Sequence, residues 1–345
     1  MLITELLKQE DVTLPLLTES NQLGCLQVTG ADTIRFLQGQ TTCDFNLLTP
    51  TTGLSGAICN VKGRIITNFY VCQQSDDAVL LIMHHDMVTK TLTHLKKYAV
   101  FFKVDMQDVS DSYEYHHLFT DGSKLSATEP LATHSANNNT AIAISQSSSH
   151  PSSQSPICET LLVTQKGQPL AEVFEQFGSL FELPFELPFE CKPDSTDKRL
   201  QVNNELQGLS IFNGQALIRQ ATSEKFVPQM LNMQFTHGIS FQKGCYTGQE
   251  IVARMQYRGN LKKRVHLLSY SLDGTDNMTD KDAPALTTFT NREGRAVADI
   301  VVSSVLFNQV FCLAVIGDQD VQAPIFCNDK PLKKWPLPYE SELES

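Results

Sequence analysis

The chain has 345 residues, 41% of them hydrophobic and 19% charged, a composition that excludes wholesale disorder, and its length corresponds to two or three domains of roughly 100–200 residues. Lys and Arg number 27 against 38 Asp and Glu, a formal net charge of −11; a general nucleic-acid coat is excluded, and any contact with RNA needs a confined basic patch. Nine cysteines with no C-x-x-C pair argue against a disulfide framework or a zinc ribbon and point to the reducing cytoplasm. The first twelve residues lack the apolar core of a signal peptide, and no run reaches the roughly 18 apolar residues of a membrane span.

Thr29 to Gln38 reads as a capped helix, with Thr29 three residues before Asp32 and Gly39 as its stop. Ile65–Cys72 and Val79–Met83, rich in Ile, Val, Phe and Tyr, read as strands, and Met87–Tyr98 as a helix. From Ser123 to Pro156 the chain turns polar, and seven of the eleven residues from Ser145 to Ser155 are Ser. This predicts a flexible surface excursion with Ala141–Ile144 as a short strand inside it. Glu182–Glu190 repeats Leu-Pro-Phe-Glu in tandem, and its two prolines forbid a regular helix or a central strand. After Lys262 the character becomes β: Val265–Leu272, Arg295–Val302 and Val310–Val315 read as strands, with a turn at Asn291–Gly294. This tail is a candidate small barrel or sandwich.

The most informative segment is Lys243-Gly244-Cys245-Tyr246-Thr247-Gly248-Gln249-Glu250. Thr247 and Glu250 have capping-box spacing, and Tyr246 with Ile251 can form a hydrophobic staple, so a helix is predicted from Gly248 through Met255. Cys245 then stands just outside the positive end of that helix. The helix dipole and Lys243 both favour a thiolate there, whereas an ordinary cysteine is a small buried hydrophobe. Arg254, Arg258, Lys262, Lys263 and Arg264 follow with no acid among them, a candidate anion site for carboxylate or phosphate. Lys62-Gly63-Arg64, opening a strand, can present backbone N–H groups and a cation to a ligand, or serve as an ordinary hairpin entry.

These residues resemble a family. Lys243–Glu250 matches the KGCYTGQE signature of the YgfZ proteins, relatives of the glycine-cleavage T protein, an aminomethyltransferase. Leu37–Thr41, Lys62–Arg64, Leu95–Val100, Phe226–Asn232, Ile251–Arg254 and Tyr257–Gly259 agree with it. The resemblance implies an α+β fold of three domains in a ring around a folate-binding channel. Residues 1–45 and 110–225 would form the first α+β domain, with a low-complexity insertion at 123–156. Residues 46–109 and 226–262 would form the second, and 263–345 a C-terminal β-barrel.

The implied role is that of a folate-binding accessory protein for iron–sulfur cluster assembly or repair. Its ligand would be tetrahydrofolate or a one-carbon derivative, its partners iron–sulfur enzymes or assembly proteins, and its link to tRNA indirect, through cluster-dependent tRNA modification such as methylthiolation. The alternatives are a folate-dependent one-carbon transferase with an unknown acceptor and a direct tRNA-binding protein. Cys245, supported by Lys243, is the candidate catalytic thiolate. Arg254, Arg258 and Lys262 are candidates for the anionic folate tail, and Glu205, Lys62, Tyr246 and Gln249 for further cofactor contacts. Where aminomethyltransferases carry a catalytic acid, this chain has Thr67 and Asn68, which cannot serve as a carboxylate acid or base. At the positions where some relatives place Trp against folate it has Leu23 and Arg199, and its single Trp335 is elsewhere.

Overall fold

In the computed structural model, which describes residues 3–12, 14–121, 130–146, 157–177, 201–202, 204–259, 261–272 and 288–339, the longest strand is Ile65–Ser75. Its β-branched and aromatic residues suit a pleated surface covered on both sides. Ile66, Phe69 and Val71 pack with Phe36 and Leu37 of the helix Thr33–Gln38 and with Val88 and Leu95 of the helix Val88–Lys96. Tyr70 and Cys72 pack the other way, against Tyr115, Ile142, Leu161 and Val163 of a second sheet. The first sheet is antiparallel and runs Leu54–Cys59, Ile65–Ser75, Ala78–His84, Leu23–Thr29, Asp105–Asp108. Sheet membership thus changes between Glu19 and Leu23, because Leu23–Thr29 pairs along its whole length with Ala78–His84.

The second sheet has six strands, in the order Gln201–Val202, Leu16–Glu19, Tyr113–Asp121, Ile157–Gln165, Asn139–Gln146, Thr133–Ala136. Its outer face is covered by the helix Leu170–Phe177, whose Val173, Phe174 and Phe177 meet Leu17, Leu118, Ala141 and Leu162. The layers are therefore helix, sheet, sheet, helix. A third sheet runs Ala298–Leu306, Gln309–Gly317, Lys263–Ser271, Lys333–Trp335. One face of it, with Val265, Leu267, Phe311, Leu313 and Trp335, joins a central cluster containing Ile65, Leu209, Phe212, Leu231 and Val252. Trp335 is buried there, its indole N–H donating to Ser269 Oγ at 2.8 Å. Among the described residues no helix is long and apolar enough to cross a membrane.

The predicted strands at Ile65–Cys72, Val79–Met83 and Val265–Leu272 are present, and the helix predicted at Met87–Tyr98 spans Val88–Lys96. Four expectations are corrected. The helix predicted from Thr29 begins at Thr33; Thr29 ends a strand, and Asp32 accepts a hydrogen bond from the Lys103 N–H at 2.8 Å instead of capping. The short strand expected at Ala141–Ile144 is present as Asn139–Gln146, but it pairs with Thr133–Ala136 in a hairpin that extends the second sheet rather than lying in a surface excursion. The hairpin's two-residue turn, Asn137-Asn138, has positive φ at both positions (48° and 64°), a conformation asparagine tolerates and hairpins favour. The last predicted strand pair is longer than expected, and its first member begins at Ala298 rather than Arg295, after the turn closed by Gly294 N–H on Asn291 C=O. The described C-terminal strands form an open four-stranded sheet and a separate pair, Phe326–Cys327 with Lys330–Pro331, rather than a closed barrel. The tandem Leu-Pro-Phe-Glu repeat lies outside the described residues.

Burial lowers five imidazoles among the described residues, His84, His94, His116, His134 and His266, and moves two of them far. His84 and His266 are both pushed down to about 4 by desolvation; Asp86 opposes the shift at His84, while Lys334 and Arg264 reinforce it at His266. Between about pH 4 and 6.5 the unfolded chain binds more protons than the folded one. The stability these residues contribute is therefore complete above about 6.5 and is lost as the pH falls. Urea midpoints measured from pH 7.5 to 4.5 are expected to decline, and to decline less in His266→Phe.

Candidate functional site

The signature and the Lys62-Gly63-Arg64 turn meet. A Cβ on Gly248 would lie 2.4 Å from the Asn60 carbonyl oxygen and 3.1 Å from Gly63 Cα, and one on Gly63 would lie 2.8 Å from Ile251 Cβ. Both glycines have positive φ, 84° and 67°, so space and conformation each demand Gly. Asn60 shapes the turn, its Oδ1 accepting the N–H groups of Lys62 at 2.9 Å and Arg64 at 3.1 Å. Its Nδ2 donates to Glu224 at 2.8 Å, and Glu224 pairs with Lys90 at 3.3 Å. These contacts hold the Glu224 carboxyl below its ordinary range.

The predicted helix is present as Gln249–Tyr257, but Gly248 is its N-cap and no side chain caps it. The Thr247 box is thus replaced by a left-handed glycine pressed against the Asn60 turn. The predicted Tyr246–Ile251 staple is not what anchors these side chains: Tyr246 is buried beneath the Lys243 ammonium, 5.1 Å from its ring, and Ile251 lies exposed over Gly63.

The sequence reading aims Lys243 at the Cys245 thiol. Its ammonium is instead buried and donates to the carbonyls of Gln38 (2.7 Å), Thr41 (2.6 Å) and Cys43 (2.7 Å). Burial pushes it down to about 8, and three carbonyl dipoles offset the charge that remains at neutral pH. Lys243 therefore clamps the signature to the loop 38–43. Cys245 is exposed, whereas Cys25, Cys43, Cys59, Cys72, Cys158, Cys312 and Cys327 are buried.

Of the five clustered cations, Lys263 faces Asp299 at 3.9 Å and Arg264 faces Asp318 at 3.5 Å. Arg254, Arg258 and Lys262 are exposed and make no ion pair among the described residues. Arg254 and Arg258 stand one turn apart on the helix and share a face. Lys62 and Gln249 lie on the same seam as Cys245, Lys62 exposed and Gln249 half-buried.

A shallow cleft lies at Asn68 and Tyr70, lined also by Ser55, Gln215, Leu231 and Met233, and its enclosed volume is about 10 Å³, the size of a water rather than of a folded-in ligand. The signature helix is tied to the segment that carries Leu231, Gln229 Nε2 donating to the Val252 carbonyl at 2.7 Å. Asn68 spends both ends of its amide on backbone, donating to Ala216 O at 2.8 Å and accepting from Ile218 N–H at 2.7 Å. Tyr70 donates to Gln215 Oε1 at 2.9 Å. Thr67 is buried away from solvent with its hydroxyl 3.8 Å from Met83 Sδ. Leu23 packs behind Tyr70 in the core between the sheets. Glu205 belongs to the 3-10 segment Asn204–Asn213, and Arg199 lies outside the described residues.

Sequence reasoning missed Glu159. It is buried, its Oε1 accepting from Ser210 Oγ at 2.6 Å and lying 2.5 Å from His117 Nδ1, its Oε2 accepting from Asn213. Burial raises the neighbouring Tyr70 phenol, and the Glu159 charge adds to the effect. The signal was available: a glutamate in the middle of the apolar strand Ile157–Gln165 needs partners to be stable there.

No protein-family model matches the chain. It is 31% identical over 261 residues to the tRNA-modifying protein YgfZ of Colwellia psychrerythraea, covering 74% of this chain and 72% of that one. The chain belongs to the YgfZ family. The YgfZ protein of Pectobacterium carotovorum is 27% identical over 342 residues, covering 94% and 92% of the two chains. Among solved structures, the fold is similar to the glycine cleavage system aminomethyltransferase T of Bartonella henselae, with a TM-score of 0.57, 10% identity, and coverage of 94% of this chain and 86% of that one.

The seam is open to test. Gly248→Ala places a methyl against the Asn60 carbonyl at a left-handed position and is expected to lower stability by about 1–3 kcal/mol. Gly244→Ala meets nothing within 4 Å and is expected to stay within about 0.5 kcal/mol of the parent. Denaturant unfolding of the two variants reads the difference.

Proposed function

We propose that this YgfZ-family protein binds tetrahydrofolate or a one-carbon derivative at the cleft beside Asn68 and Tyr70. In this reading it supports iron–sulfur enzymes or their assembly, and through them the modification of tRNA that its relatives' names record. The three sheets would be the cores of three domains set around that ligand. The observation that carries the reading is Asn68, an amide locked onto the backbone of Ala216 and Ile218 where an aminomethyltransferase needs a carboxylic acid. The cleft pairs apolar walls with amide, hydroxyl and phenol groups. The lining holds no carboxylate to exchange a proton, which counts against aminomethyl transfer, and a folate would lie over the mouth of this shallow cleft rather than inside it. The anionic tail of the ligand would run to Arg254, Arg258 and Lys262, cations that no acid among the described residues neutralises.

Cys245 would act as the reactive group of this accessory role, as an exposed thiol three residues before the helix N-cap Gly248. Lys243 would act at one remove, by fixing the loop that carries it.

Calorimetric titration of the reduced protein with tetrahydrofolate is expected to give micromolar binding, about −8 kcal/mol, and the double variant Arg254→Ala/Arg258→Ala to weaken it by about tenfold or more. The absence of heat at millimolar ligand would overturn the folate assignment. Separately, Cys245→Ala is expected to fail to restore the activity of an iron–sulfur tRNA-modifying enzyme in a strain lacking this protein; full restoration would remove the thiol from the mechanism.

A further inference from the structure

Among the described residues seven large apolar side chains are strongly exposed, and Leu47 aside they are Val61, Tyr98, Val100, Phe101, Ile251 and Tyr257. Phe101 is 91% exposed, Val61 76%, Val100 75% and Tyr257 71%. They come from three distant parts of the sequence and form two exposed apolar groups, Val61 with Ile251 and Tyr257, and Tyr98 with Val100 and Phe101, joined by a chain of polar contacts. Tyr257 and Ile251 share the signature helix, and Ile251 lies against Gly63, two residues from Val61. Asn60, next to Val61, bonds Glu224, which pairs with Lys90. Lys90 is one turn before His94 on the helix Val88–Lys96, and the His94 ring lies 5.2 Å from that of Tyr98. Tyr98 leads directly into Val100 and Phe101.

The charges along this path have one dominant sign. Lys62, Lys96, Lys97, Lys103, Arg254 and Arg258 are exposed beside it and make no ion pair among the described residues. The acids along it are Glu224, already held by Asn60 and Lys90, and the exposed Glu250 and Asp105. In a chain of net charge −11, this concentrates cations where apolar surface is uncovered. Exposed apolar groups rimmed by one sign of charge mark an interaction surface.

We infer that this surface is a docking site for an acidic protein partner that covers both apolar groups and meets the cations around them. Charge complementarity sets the sign of the partner. The mixture of Val61, Val100 and Ile251 with the aromatic rings sets its class, since aliphatic side chains gain from burial against a protein, whereas single-stranded nucleic acid is held by aromatic stacking. The inference does not use the cleft, so loss of folate binding leaves it standing.

The test places a benzophenone photocrosslinking amino acid at position 101 or at position 257 of the full chain, in its own cells. Both positions are expected to capture the same acidic protein, identified by mass spectrometry. That protein, purified, should bind the parent with an affinity that falls as salt rises, and should bind Lys96→Glu/Lys97→Glu about tenfold or more weakly. If circular dichroism shows that variant misfolded, Lys96→Gln/Lys97→Gln replaces it, with a smaller weakening expected. Adducts to RNA, adducts to a second copy of this chain, different proteins at the two positions, or no adduct at either would each overturn the assignment, as would affinity unchanged in the charge variants.

Discussion

Two loops touch backbone to backbone because Gly63 and Gly248 carry no side chain, and most of what is chemically notable in this chain is positioned by that contact. It fixes where the helix Gln249–Tyr257 begins, hence where Arg254 and Arg258 point, and it leaves Cys245 on the surface just before the turn. Lys243 adds a second tie, from the same signature to the loop 38–43. Neither tie has much apolar area, and both depend on hydrogen-bonding groups meeting at close range. A signature built in this way tolerates little change of volume at its glycines and little change of charge at its lysine.

The elements near the site were readable in the sequence to the extent that they are local. The helix after the signature is predicted from the Thr247–Glu250 spacing and the Tyr246–Ile251 pair, and the strand at Ile65–Cys72 from its β-branched and aromatic residues. What could not be read was which group satisfied which. The Thr247–Glu250 spacing fits a capping box, but the Asn60 carbonyl, close only in the folded chain, favours a left-handed glycine instead. The side chain of Lys243 chose partners about 200 residues earlier in sequence, so its neighbour Cys245 was the wrong inference from proximity along the chain. The polar run after Ser123 concealed a hairpin whose strands are ordinary and whose turn was announced by consecutive asparagines.

Glu159 and Asn68 show two ways of placing a polar group at the meeting of sheets. Asn68 acts as extra backbone, joining the strand Ile65–Ser75 to residues 216–218. Glu159 is accommodated in a buried place by Ser210, Asn213 and His117, gathered around its carboxyl. One is an amide, with no proton to exchange; the other is an acid surrounded by donors. Together they tie the segment 210–218 to both sheets, and that segment forms one wall of the cleft.

The position of Trp335 carries an optical consequence. It is the one tryptophan in the chain, sealed between Phe212 and Phe311 at 5.9 and 5.4 Å in the core that joins the third sheet to the rest. Its emission therefore has a single address. It reports whether the C-terminal sheet is docked, and it is a poor witness to a ligand resting beside Asn68. Spectroscopists who follow intrinsic fluorescence in this protein would be watching the joint between sheets rather than the cleft.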